Sequence, residues 1–499
     1  MVRRGWLERG PGPDPRRGQD EFVRVSWDEV IEHLANELRR VTDTHGLNSI
    51  FAGSYGWSSA GRFHHAQSQV HRSFNKALGG YVRSVYTYSA GAAEVILPYV
   101  LGPFERVARR TVTWDQIFAH TEVVLAFGGM ALKYSQTASG GVSHHMERGA
   151  MRAAAERGCR FINVSALQAD LPEEARPEWI APVPGTDTAL MLGLMHTLVS
   201  ECWHDPAFIE RYCSGWAGFE AYLLGSSDGI AKTPEWAAAI CGIPAPDIVA
   251  LARSLAGKRV LVVVSHSLQR AEFGEQPVWM GAALAALLGQ NGLPGGGYYY
   301  ALGTLSHYGR RNNLAAPAAL DQGVNSVREY IPCARISDML LNPGEQYDFN
   351  GQRLTYPRIK LAWWAGGNPF HHHQNPNRLA AALRTLDTFV VHESAWTTTA
   401  RFADIVLPAT LTLERENLGA TPTDPVMVAM QRVLPPYEEA RDDYDIFCAL
   451  ADKLGKRAEF SEGRSARDWV AFLYERTHAH GLATEGREPA GFRGILGTG

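Results

Sequence analysis

The sequence predicts an α/β protein: a doubly wound, mostly parallel sheet domain interrupted by a second α/β domain. Three observations predict it. Short apolar runs of strand length recur along the chain, each running into a polar, Gly- or Ser-bearing loop. Amphipathic stretches with helical spacing separate many of them. From residue 187 to residue 290 the patterns are mostly helical, broken by the single apolar run Val260 to Val264. Alternating strands and helices favour parallel strands joined by crossover helices.

In chain order, residues 1–20 are rich in Gly, Pro and Arg and read as an irregular lead-in. Phe22 to Val25 alternates like a short strand. Ser26-Trp27-Asp28-Glu29 has the spacing of a capping box, with Ser26 as N-cap, and opens a helix through about Thr42. Ser49 to Gly53 reads as a strand, as do Glu122 to Phe127 and Cys159 to Val164. Leu288 to Gly297 is a glycine-rich turn, and residues 298–345 read as loop-rich. Strands return at Lys360 to Trp364, Thr388 to Val391 and Ile405 to Leu407. The predicted division is a lead-in (1–20), a discontinuous α/β domain (21–185 plus 355–475), an inserted α/β domain (186–354) and a tail (476–499).

Size and composition bound the function. A chain of 499 residues implies two to four domains, and 45% hydrophobic with 20% charged residues is the balance of a globular protein. A net charge of -4 offers no electrostatic footprint for nucleic acid or an anionic membrane. No apolar run reaches the length of a membrane span. The six cysteines are scattered without a C-x-x-C pair, which leaves zinc ribbons, iron–sulfur clusters and a disulfide scaffold unsupported. A reducing, cytoplasmic compartment is expected, or the periplasm if an export signal precedes this start.

Competing motifs do not hold up. There is no G-x-G-x-x-G, no G-x-x-x-x-G-K-[ST] and no H-E-x-x-H, so a nicotinamide dehydrogenase lacks its phosphate fingerprint. Gly225-Ser226-Ser227-Asp228-Gly229 fits G-x-S-x-G but lies between helical patterns, not between strand and helix. His371-His372-His373 would alternate sides on an extended segment and so would not chelate one ion. The same holds for His64-His65 and His144-His145.

The positive signals are strand-end loops, where open α/β sheets place ligands. Tyr55-Gly56-Trp57 follows Ser49 to Gly53, and Tyr88-Ser89-Ala90-Gly91 follows another glycine pair; two polar-aromatic loops of this kind can converge on one reacting centre. Gly128-Gly129 with Lys133 follows a strand and offers a turn and a cation to a phosphate. Further loops are Pro184-Gly185-Thr186-Asp187, Ser265 to Arg270, Gly366-Gly367-Asn368-Pro369, His392 to Thr397 and Ala403-Asp404. Each alone is ordinary turn chemistry.

Together, from about residue 20 to about residue 475, these stretches resemble the dimethyl sulfoxide reductase family of molybdopterin enzymes. The likeness is greatest to its biotin sulfoxide reductase and trimethylamine N-oxide reductase branch, and Arg62, Asn75, Gly79, Gly80 and Tyr88 share it. The resemblance implies that Ser89 binds molybdenum while Tyr55 and Trp57 face the substrate oxygen. It implies a bis(molybdopterin guanine dinucleotide) cofactor contacted by Trp57, Lys133, Ser165, Asp187, Ser267, Gln269, Arg270, Gly367, Asn368, His392, Trp396 and Asp404. Three departures stand out. Thr87 replaces an Asp, Ser165 replaces the nucleotide-binding acid of an Ile-Asp-Pro, and Ser265-His266 replaces Gly-Trp. Serine at 165 keeps a hydrogen bond but not the charge, which implies weaker or altered nucleotide binding.

The activity implied is a molybdenum-dependent reductase that takes oxygen from an S-oxide or N-oxide of the biotin sulfoxide, methionine sulfoxide, dimethyl sulfoxide or trimethylamine N-oxide class, fed by an electron donor. The family's proteins are longer at both ends. The expectation is therefore a chain without the family's C-terminal β-barrel domain, with a partner supplying it. The alternative is an inactive remnant, or a pterin- or nucleotide-binding module without turnover.

Overall fold

A computed structural model of the protein describes residues 1–53, 61–109, 111–136, 138, 141–306, 308–311, 316–424 and 426–485. The described strands are β1 (Val2–Arg3), β2 (Phe22–Val23), β3 (Ile50–Gly53), β4 (Val82–Val85), β5 (Val123–Phe127), β6 (Arg160–Val164), β7 (Glu178–Ile180), β8 (Val260–Val264) and β9 (Gly297–Tyr300). They continue with β10 (Tyr330–Pro332), β11 (Gln346–Phe349), β12 (Gln352–Thr355), β13 (Leu361–Ala365), β14 (Thr388–Glu393), β15 (Ile405–Pro408), β16 (Asn417–Gly419) and β17 (Val428–Met430).

The chain divides into two compact units: Met1–Tyr88, Gly140–Val142 and Leu314–Gly499 form the first, and Ser89–Ser139 with Ser143–Asn313 the second. In the first, eight strands lie in the order β10-β4-β3-β13-β14-β15-β1-β2. Every pairing from β10 to β15 is parallel, and β1 and β2 add an antiparallel edge. Chain order reverses between β3 and β13, so the C-terminal ends of these two strands flank a switch point. The helix Trp27–His45 starts as its sequence requires, with the Ser26 hydroxyl accepting from the Glu29 N–H at 3.2 Å, and buries Val30, Ile31, Leu34, Leu38 and Val41 in this unit's core.

The second unit carries a five-stranded, all-parallel sheet in the order β7-β6-β5-β8-β9. Its central runs, Val-Val-Leu-Ala-Phe and Val-Leu-Val-Val-Val, are apolar and buried at every position. That is what a parallel sheet covered on both faces requires. Here the switch point lies between β5 and β8.

Several expectations change. The expected domain borders at 185/186 and 354/355 do not match these units: β5 pairs with β6 on one side and with β8 on the other, not with β3 or β13. Apolar runs register burial but not which sheet a strand joins. The lead-in is not irregular, since Val2 pairs with both Ile405 and Val23. Within the loop-rich stretch, Tyr298, Tyr299 and Tyr300 form the buried edge strand β9. Of the tail, residues 476–485 continue the helix Ala466–Glu485. The G-x-S-x-G segment is a turn between the helices Trp216–Leu223 and Pro234–Cys241. All six cysteines are free. Among the described residues no single helix is long and apolar enough to cross a membrane.

Candidate functional site

In the second unit, the C-terminal ends of β5, β6 and β8 meet at the switch point. β5 runs into Gly128 and Gly129, at φ +79° and +70°. A Cβ on Gly128 would stand 2.7 Å from Ser265 Cβ and 2.9 Å from Ser267 Oγ, and one on Gly129 would stand 2.5 Å from the Asp170 carbonyl oxygen. Only glycine permits that approach. The turn is closed from within, because the Gly128 N–H donates to the Val164 carbonyl at 2.8 Å and the Met130 N–H to the Asp170 carbonyl at 2.7 Å. The expected phosphate-holding turn has therefore spent these two donors. Lys133 remains exposed, with Nζ 4.0 Å from the Asp170 carboxylate and 5.0 Å from the Tyr134 ring centre.

β8 runs into Ser265 to Arg270. The Ser265 hydroxyl lies 2.9 Å from that of Ser267 and accepts the Ser267 N–H at 3.2 Å, fixing a tight turn. Ser267 and Arg270 are exposed. Gln269 is buried, and its amide grips the turn that carries Ser89. Its Nε2 donates to the Ser89 carbonyl at 3.0 Å, and its Oε1 accepts the Ala92 N–H at 2.9 Å. Ser89 is half-buried, just ahead of the helix Gly91–Val100. Gln269, expected to touch cofactor, thus has both ends of its amide on the Ser89 turn.

Titratable groups gather on the same unit. Glu94, one turn along that helix, has its carboxyl pushed up to about 7 by burial and by Glu105, against the pull of Arg109. His266 packs 5.1 Å from Tyr300, ring centre to ring centre, and burial, helped by Arg270, pushes it down to about 3. It is therefore neutral. Asp187 is buried at the start of the helix Asp187–Ser200, and burial pushes its carboxyl up to about 6. Ser165, at the end of β6, donates to Asp170 Oδ2 at 2.6 Å, while its carbonyl accepts from Trp179 Nε1 at 2.8 Å.

In the first unit, Tyr55 and Trp57 lie outside the described residues. Arg62 donates to the carbonyls of Pro317 and Ala318, both at 3.0 Å, and Asn75 to that of Gln322, also at 3.0 Å. A Cβ on Gly80 would meet Ser326 Oγ at 2.7 Å. These family-like residues therefore hold the 317–326 segment. The Tyr88 hydroxyl is 2.9 Å from His373 Nδ1 and 3.1 Å from the Cys333 carbonyl, so the residue before Ser89 is anchored. Burial pushes His373 down to about 4, with the neighbouring His372 adding to it. The histidine run sits around the short helix Pro369–His372 rather than on an extended segment. Among the described residues no group of three or more His, Cys, Asp or Glu side chains is placed to hold a metal ion.

After β13, Gly366 and Gly367 both adopt positive φ, and Asn368 Oδ1 caps the short helix by accepting the Phe370 N–H at 3.2 Å. After β14, the half-exposed Trp396 meets Phe22 edge-on at 4.8 Å and lines a cavity of about 470 Å³ with Trp27, Glu393, Leu411 and Tyr437. Two expected cofactor contacts, His392 and Asp404, are engaged by protein groups. His392 is buried with both ring nitrogens engaged, Nε2 accepting from Trp363 Nε1 at 3.0 Å and Nδ1 lying 2.9 Å from Asp443 Oδ1. Asp404 precedes β15 and so lies at the N-terminal edge of the sheet, opposite the ligand-binding edge. It is 0% exposed and bound by Arg3, Arg17 and the Phe389 N–H. Asp170 and Glu94 were not anticipated from the sequence. The signal for Glu94 was a single acid in an apolar helix; Asp170, five residues past a strand end, gave none.

The family model described as Molybdopterin oxidoreductase matches residues 1–453. A biotin sulfoxide reductase of Cereibacter sphaeroides is 45% identical over 482 residues, covering 96% of this chain and 64% of its own length. A dimethyl sulfoxide/trimethylamine N-oxide reductase of Rhodobacter capsulatus is 41% identical over 507 residues, covering 98% of this chain and 61% of its own. Among solved structures, acetylene hydratase from Pelobacter acetylenicus superposes with a TM-score of 0.62 at 17% identity, covering 96% of this chain and 64% of that one. That last likeness is one of fold alone. This chain spans 64% or less of the length of these relatives.

Proposed function

Because the chain belongs to the molybdopterin oxidoreductase family, we propose that it is a molybdenum-dependent reductase that takes an oxygen atom from a small S-oxide or N-oxide. The carrying observation is the Ser89 turn, gripped from both sides by the buried amide of Gln269. A serine on a turn whose main chain is fixed in this way offers a hard oxygen donor, which suits an oxidised, high-valent metal. Its curated relatives are reductases of biotin sulfoxide, dimethyl sulfoxide and trimethylamine N-oxide by name.

The crevice in the second unit fits a large cofactor of this type. Gly128 lets the loops after β5 and β8 close against each other, and Ser267 and Arg270 stand exposed beside it. In our reading Ser89 anchors the metal and Gln269 positions Ser89. Ser165, Ser267, Arg270, Lys133 and Asp187 bind the cofactor from the second unit. Gly367, Asn368 and Trp396 are the cofactor contacts proposed among the strand-end loops of the first unit, taken by itself. When bound, bis(molybdopterin guanine dinucleotide) with molybdenum supplies the two-electron chemistry of oxygen transfer. Tyr55 donates a hydrogen bond to the substrate oxygen and Trp57 excludes water. Glu94 holds a proton at its carboxyl near neutral pH, one helical turn from Ser89. Reducing equivalents come from an external donor, and a reducing, cytoplasmic setting fits six free thiols.

The test is oxidation of a reduced viologen dye by the purified holoprotein, with biotin sulfoxide, methionine sulfoxide, dimethyl sulfoxide and trimethylamine N-oxide in turn. At least one is turned over, and Ser89→Ala lowers that rate by about 100-fold or more. A Ser89→Ala protein with full activity would refute the anchor.

A further inference from the structure

We propose that Asp170, held by Ser165, is the nucleotide-binding carboxylate of this chain and takes the ribose hydroxyls of the nucleotide end of its cofactor. The assignment rests on the cofactor proposed above. Doubly wound sheets bind nucleotides outside the C-terminal ends of their strands, with ribose hydroxyls on a carboxylate. Here β6 ends in Ser165, which carries no charge. The loop after it doubles back and supplies one: the Ser165 hydroxyl donates to Asp170 Oδ2 at 2.6 Å.

The placement is over-determined. Asn163 Nδ2 donates to the carbonyls of Leu167 and Gln168 at 3.1 and 3.0 Å, and the Leu167 N–H reaches the Ser165 hydroxyl at 3.4 Å. The Met130 N–H takes the Asp170 carbonyl, and the bare Cα of Gly129 makes room for it. The carboxylate is thus fixed by the loops after both β5 and β6. A pre-positioned acceptor binds more tightly than one ordered on contact.

Among the described residues one acceptor of this carboxylate has no hydrogen-bond donor. Oδ2 is engaged by Ser165, whereas the nearest described cation to Oδ1, Lys133 Nζ, stands at 4.0 Å, beyond hydrogen-bond reach. Beside the loop runs a groove of about 330 Å³ lined by Lys133, Arg148, Ala169, Pro172 and Glu173. Arg148 is paired with Glu174, which leaves the exposed Lys133 as the groove's cation for a phosphate. A fixed carboxylate next to a groove with an exposed lysine is the chemistry of a ribose phosphate.

The experiment titrates the full-length, cofactor-free chain with guanosine 5′-monophosphate and its 2′,3′-dideoxy analogue by calorimetry. Asp170→Asn weakens guanosine monophosphate binding by about tenfold or more, since a hydrogen bond to a charged group is lost. In wild type the dideoxy analogue loses a similar factor, and on Asp170→Asn it loses nothing further. Ser165→Asp, which crowds two carboxylates, weakens binding, and Ser165→Asp with Asp170→Ser restores it. Asn keeps the shape and the backbone bonds of Asp170, and the analogue tests wild-type protein directly.

Asp170→Asn binding as wild type, a dideoxy analogue binding as well as the parent, tighter binding by Ser165→Asp, or no binding by wild type would each overturn the proposal. Molybdenum analysis of the wild-type holoprotein separates the two levels. Metal present with an unaffected Asp170→Asn sinks only the Asp170 assignment; metal and nucleotide binding both absent sink the cofactor reading with it.

Discussion

Replacing Asp404 by Asn should destabilise the protein whether or not it carries a cofactor. The carboxylate is fully buried, accepting from Arg3 Nε at 2.8 Å, Arg17 Nη2 at 2.7 Å and the Phe389 N–H at 2.8 Å. Asn removes the charge and turns an amide donor toward groups that are themselves donors. Arg3 keeps Asp14 and Asp20, each at 2.6 Å, but Arg17 keeps only main-chain carbonyls such as those of Leu383 and Leu386. Breaking a buried pair from one side costs about 3–5 kcal/mol, and the retained partners of Arg3 place this case toward the lower end. Urea unfolding of cofactor-free protein, followed by far-ultraviolet circular dichroism, should show the loss. A variant with wild-type stability that fails to retain cofactor would refute the reasoning and return Asp404 to the binding site.

Three further outcomes follow from the geometry. Asp187 titrates near 6 folded and near 3.8 unfolded, so its stabilising contribution is complete below about pH 4 and is lost as pH rises through 6. Asp187→Asn should therefore unfold later than wild type at pH 7.5, by up to about 3 kcal/mol, with the gap narrowing toward pH 5 in urea melts. Gln269→Ala removes two hydrogen bonds from the Ser89 turn, which should cost about 1–3 kcal/mol and speed hydrogen exchange at the Ala92 amide. Gly128→Ala sets a Cβ against Ser265 at 2.7 Å on backbone at φ +79°, and should lower stability by about 1–3 kcal/mol in the same melts.

The strands were legible wherever burial on both faces made every residue apolar. Val123–Phe127, Val260–Val264 and Leu361–Ala365 differ from expectation by one residue at most. Sheet membership was not legible, because Val123 looks the same beside Val260 as it would beside Leu361. The two-residue strand Val2–Arg3 is too short for periodicity, and Tyr298 to Tyr300 followed a glycine-rich turn that masked a buried edge. For the site, the loops after β5, β6 and β8 were visible because each apolar run ended in a glycine-bearing or polar turn, whereas the Ser89 loop showed only through the glycine pair before it. The place of Asp404 was legible too: it stands before Ile405, hence at the N-terminal edge of the sheet. Gln269 and His392 were visible as polar residues in the right loops, but their partners, Ser89 with Ala92 and Trp363 with Asp443, are far away in sequence.

The central claim is that this fold loads molybdenum through its cofactor with Ser89 at the metal. Molybdenum content by mass spectrometry, on protein purified from a host that makes the cofactor, tests it most directly. The account expects close to one molybdenum per chain. A chain that is folded by circular dichroism yet free of the metal would contradict it.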